Sequence, residues 1–131
     1  MNGEVFLIGF SGEEVELLRS ALSGIGVHEI PKDCLNWTLG EVIEKKPLGR
    51  GNWHERKFLV IHGDNETIKF VISKVRPMKL GRVIFVSTTP ISLGRRLDDL
   101  IREWIEEDEY FRAFREMKRK AAERKGPYLE V

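Results

Sequence analysis

Three hydroxyls in a row, Ser87, Thr88 and Thr89, follow the apolar run Val83–Val86. A hydroxyl both donates and accepts, so such a row at a strand end can hold a phosphate or carboxylate oxygen. His62 closes a second apolar run, Phe58–Ile61. Its ordinary pKa of about 6.5 suits proton transfer near neutral pH. Ser11 follows a third run, Val5–Phe10. Ser87, Thr88, Thr89, His62 and Ser11 are therefore the candidate ligand-binding residues. Each also has a plainer reading: a polar turn before Pro90, a structural or exposed histidine, and a helix cap.

Other patterns carry less chemistry. Gly9–Glu13 (GFSGE) approaches the nucleophile elbow G-x-S-x-G, but Glu13 stands where the tight turn needs a small residue. Leu48–Lys57 (LGRGNWHERK) lacks the spacing of a phosphate-binding loop. Trp53, between Arg50 and Arg56, could stack a base there, although a linker that packs one tryptophan is the simpler reading. His28 and His54 lack ligand spacing, and Cys34 is the single cysteine. No metal site, cofactor or catalytic residue is expected, and nothing in the sequence brings Cys34 to His28. Whether the chain is an enzyme stays open, leaning against.

Periodic elements must position these residues. Ser11 with Glu14, and Thr38 with Glu41, have the capping-box spacing, and Phe10/Val15 and Trp37/Val42 are placed as hydrophobic staples. Val15, Leu18, Leu22 and Ile25 recur at helical spacing, and Val27–Ile30 reads as a short strand. Asp64 caps a helix carrying Ile68, Val71, Ile72 and Val75, which ends near Pro77. Ser87–Pro90 reads as a loop, and a further helix carries Leu97, Leu100, Ile101, Trp104 and Ile105.

The order strand, capped helix, strand, loop, helix occurs twice. The chain is thus expected to be a single α/β domain of two β-α-β-α repeats, 4–46 and 57–107, joined by a linker at 47–56. The strands share one mostly parallel sheet, and a long C-terminal helix extends over 108–125. The sheet is either continuous or built of halves related by a pseudo-two-fold axis with antiparallel contact.

Composition narrows the function classes. The 131 residues are 41% hydrophobic and 33% charged with a net charge of +1, a soluble globular composition without a global field for nucleic acid or anionic membrane. No segment reads as a signal peptide or membrane span. One cysteine fits a reducing, cytoplasmic setting. The absence of glutamine and density of Glu, Lys and Arg lean toward a thermophile.

Phe10-Ser11 with Glu13 and Glu14, and Asn36-Trp37-Thr38-Leu39, make the chain resemble a small bacterial domain of unknown function, the family numbered 3783, in two tandem copies. The second copy keeps Thr89-Pro90 before Ser92-Leu93 but lacks the Asn-Trp pair. The resemblance implies a compact α/β unit and no activity. The leading functional expectation is a non-catalytic binding or assembly module. It self-associates, or meets a protein partner, through Tyr110, Phe111 and Phe114 on the C-terminal helix. The alternatives are a small-anion or nucleotide site at the strand ends and nucleic-acid binding through the basic linker and tail. Acidic neighbours within the tail dilute the last.

Overall fold

The computed structural model describes residues 2–125. The elements run β1 (Gly3–Ile8), α1 (Gly12–Ala21), β2 (Gly26–Glu29), a 3-10 turn (Lys32–Cys34) and α2 (Leu39–Lys45). They continue with β3 (Lys57–Gly63), α3 (Asn65–Val75), a 3-10 turn (Arg76–Met78), β4 (Val83–Ser87), α4 (Pro90–Leu93) and α5 (Leu97–Lys125). By compactness the chain divides into two units, one up to Leu100 and one from Ile101.

The first unit holds one four-stranded sheet in the order β2-β1-β3-β4. Both outer pairs are parallel and the central β1–β3 pair is antiparallel. The two β-α-β units thus meet in one mostly parallel sheet, back to back at its centre. Their registers advance in step: Glu4 faces Gly26 and Lys57 faces Val83, and the next three pairs follow likewise. A second reciprocal contact lies after the outer strands, around a bridge between Thr38 and Arg96. There Leu39 N–H donates to Arg95 O (3.0 Å) and Leu97 N–H donates to Trp37 O (2.8 Å).

Side chains alternate across the sheet. Val5, Leu7, Leu59 and Ile61 join Val15, Leu18, Leu22, Val71 and Val75 of α1 and α3 in one core cluster. Phe6, Ile8, Phe58 and Val60 point the other way and are fully buried as well. A second layer therefore covers that face, as crossover topology requires. The buried residues available to form it include Ile30, Cys34, Leu39, Val42, Ile43, Leu97 and Leu100. Each large apolar side chain so buried contributes about 1.5–3 kcal/mol.

The caps form as their spacing dictates. Ser11 and Thr38 each accept from the backbone three residues on, at 3.2 Å, while Glu14 and Glu41 reach back at 2.9 Å. Asp64 accepts from Thr67 N–H. The segment after β4 differs from the loop expected there. Ser87 ends the strand, and Thr89 caps a short helix opened by Pro90, whose fixed φ suits a first helical position. β1 also starts two residues before its apolar run, where Gly3 and Glu4 pair with Gly63 and His62, and stops two residues short of its end, where Gly9 turns left-handed at φ 87°.

The second unit continues α5, a helix of 29 residues in all. Tyr110, Phe111, Phe114 and Met117 are exposed along it (65, 56, 45 and 69%). Tyr110 and Phe114, one turn apart, stack at 6.4 Å. Arg119 pairs with both Glu116 and Glu123.

Candidate functional site

Because β1 and β3 run antiparallel, the sheet has two sets of carboxyl ends, at opposite edges of its strands. The β3–β4 end gathers most of the candidate residues. His62 is the penultimate residue of β3 and Thr88 lies just past β4, and His62 Nδ1 lies 2.8 Å from Thr88 Oγ1. Thr88 is held by its backbone, which donates to Ile61 O at 3.1 Å. An imidazole within hydrogen-bond reach of a hydroxyl is the elementary arrangement for polarising that hydroxyl or orienting an anion.

Glu4 faces His62 across the central pair, on the same side of the sheet. Glu4 Oε1 also meets His28 Nε2 at 3.0 Å and Lys46 Nζ at 3.5 Å, and His28 stacks on Phe6 with ring centroids 5.0 Å apart. A polar row, His28–Glu4–His62–Thr88, thus crosses all four strands. The sequence offered a signal for it: Glu4, His28, His62 and Thr88 have the parity of Phe6, Val60 and Val86 on their own strands. Only the strand order turns that parity into neighbours. Among the described residues no group of three His, Cys, Asp or Glu side chains could hold a metal ion.

Two glycines shape this end. Gly3 and Gly63 face each other in the register, and a Cβ on either would collide with the buried Thr67 (2.4 and 2.9 Å from its Cγ2). Thr67 Oγ1 in turn donates to Asp64 at 2.8 Å. The Asp64 carboxylate is held below its usual range, first by the Thr67 backbone N–H and then by the Thr67 hydroxyl.

Not every candidate joins the row. Ser87 is exposed at the end of β4, and Thr89 Oγ1 accepts from Ser92 N–H at 3.0 Å. Ser11 lies at the opposite end of the sheet, past β1, occupied with Glu14. The five residues therefore divide, with His62 and Thr88 in direct contact and Ser11 in a different environment.

That other end is filled by the linker. Gly9 N–H donates to Gly51 O at 2.6 Å, and Gly51 N–H donates to Glu29 at 2.9 Å. Arg50 pairs with Glu29 at 3.3 Å, and Trp53 Nε1 donates to Ile30 O at 2.8 Å. His54 packs edge-on to Phe58, and burial pushes its pKa down. Nearby, Lys57 bridges Glu14 and the Leu80 carbonyl, both at 2.5 Å. Burial would raise the Glu14 pKa. The hydrogen bonds from Lys57 and Ser11 outweigh it, and the net shift is downward. Cys34 is buried and its thiol pushed up, first by burial and then by Asp33, which makes it a poor nucleophile.

The profile of a family described as Domain of unknown function (DUF3783) matches residues 57–111, from β3 into α5. The match falls on the half that keeps less of the Asn-Trp-Thr-Leu pattern. No curated protein and no solved structure matches the chain. Among the described residues no helix is long and apolar enough to cross a membrane.

Proposed function

We propose that this protein is a non-catalytic binding or assembly module that self-associates through α5. The carrying observation is the stripe of Tyr110, Phe111, Phe114 and Met117, four large apolar side chains left exposed within two turns. Large exposed apolar patches on a soluble chain mark interaction surfaces. Their spacing is that of one helix face, suited to a second amphipathic helix. Light scattering tests this reading. The wild type runs as an oligomer, and Phe111→Ala with Phe114→Ala shifts it to a folded monomer whose midpoint no longer rises with protein concentration. A monomeric wild type at every concentration ends the proposal.

On the same reading the two halves are tandem copies of one β-α-β-α unit, supported by the stepwise registers and the reciprocal contacts around the Thr38–Arg96 bridge. A second function has one observation in its favour. The His62–Thr88 pair would bind a small anion at the β3–β4 end, and inorganic phosphate would then raise the unfolding midpoint saturably. Nucleic-acid binding through the linker has less support, since Arg50 is engaged with Glu29 and Trp53 with Ile30.

A further inference from the structure

The two edges of the sheet are treated differently. β2 is short, and on its outer side Arg19 reaches the Val27 carbonyl at 3.4 Å. Among the described residues β4 pairs with β3 alone. Thr88 N–H points inward to Ile61, so by alternation the N–H and C=O groups of Val83, Phe85 and Ser87 point outward. An unpaired edge of this kind is a template for another strand. It is apolar as well, since Val83, Ile84, Phe85 and Val86 are all only partly buried.

Beside this edge lies a groove of about 220 Å³, lined by Val75, Arg76, Leu80, Gly81, Arg82, Val83 and Phe85. Its floor is apolar and its charged groups are all cationic. Arg76 stands over the Phe85 ring at 6.0 Å. The imbalance extends beyond the groove. From Thr67 to Arg96 the chain carries Lys69, Lys74, Arg76, Lys79, Arg82, Arg95 and Arg96 and not one carboxylate. Arg96 pairs with Asp98 just beyond this stretch at 2.7 Å, and the exposed Lys69, Lys74, Arg76 and Lys79 carry the rest of the excess. The near-zero net charge conceals a segregated basic edge.

We propose that the outer edge of β4 docks an extended acidic segment of a partner protein. The segment adds to the sheet as a fifth strand, with an apolar side chain in the groove and carboxylates at Lys74 and Arg76. Main-chain hydrogen bonds to Val83, Phe85 and Ser87 would supply affinity, and alternate side chains specificity. Nucleic acid would satisfy the charge but not the apolar groove or the open ladder.

The test is fluorescence anisotropy with a labelled peptide of alternating Glu and Val, beside an alternating Lys and Val peptide and a single-stranded DNA oligonucleotide. The Glu–Val peptide binds the full chain and the Lys–Val peptide does not. Arg76→Glu combined with Lys74→Glu, both exposed positions, weakens binding by at least about tenfold. Ser87→Pro removes an outward donor without touching the ladder to β3 and weakens it comparably. The charge variant decides the matter should Ser87→Pro fail to fold. No binding of the Glu–Val peptide, equal binding by the charge variant, or binding of the oligonucleotide alone overturns the proposal.

Discussion

The two ends of the sheet are each formed by a parallel β-α-β unit and have opposite fates. Past β1 and β2, the linker 47–56 folds into the crevice and satisfies it with Gly51, Trp53 and the Arg50–Glu29 pair. Past β3 and β4, the corresponding ground is held by half-buried His62 and Thr88 and the exposed Ser87. Which strand end is left open is thus decided less by the β-α-β units than by what the chain does between them. A linker that supplies backbone hydrogen bonds removes one crevice from use and leaves the other available.

Breaking the closed end should cost most. Gly9 sits at φ 87°, and a Cβ there would lie 1.9 Å from the Arg56 carbonyl oxygen. Gly24 has a similar φ of 90° with open space around it. Chemical denaturation should give Gly9→Ala a loss of about 4 kcal/mol and Gly24→Ala about 1 kcal/mol. Equal losses would mean that strain alone matters and that the linker is not wedged against β1.

The next effect is at Lys57, whose side chain is 23% exposed and meets Glu14 at 20%. Lys57→Met leaves that carboxylate without its cation and should cost about 2 kcal/mol. The pH profile carries the same signature. The Glu14 pKa is lowered in the fold, so its contribution is present above the unfolded value of 4.5 and lost as pH falls through the folded one. Wild-type stability should therefore decline below 4.5, and Lys57→Met should decline less over that window. Parallel profiles would place the acid sensitivity elsewhere.

Helix starts come third and were the most legible part of the sequence. Ser11–Glu14 and Thr38–Glu41 are three-residue relations, so their chemistry is complete within one turn and no distant partner can change it. Thr38→Ala should cost about 1 kcal/mol in the same assay. The strands and the helix along 97–125 were legible for the same reason. What was not legible was non-local. Nothing near Gly9 announces the Arg56 carbonyl, and its place in a GFSGE string suggests a nucleophile turn instead. The antiparallel join of β1 and β3 separated Ser11 from His62, though both follow apolar runs. The Glu4–His28 pair went unseen because it needs the register of β1 on β2. The basic edge around β4 is countable from the sequence but disappears in a whole-chain charge of +1.

The smallest expected effect is also the most informative about the open end. Thr88→Val removes the hydroxyl beside His62 and keeps the β-branched shape at the strand end. A buried imidazole robbed of its partner would cost its full desolvation penalty, but His62 is only half-buried, so water can take the place of Oγ1. The loss should be about 0.5 kcal/mol, far below that of the closed-end variants. Such a pair contributes little to folding, which leaves its geometry free for a ligand. If Thr88→Val instead costs as much as Lys57→Met, the His62–Thr88 contact is part of the scaffold and the two ends are equally closed. If the cost is small and the mutation abolishes a phosphate-induced rise in the midpoint, the open end is a binding site in its own right.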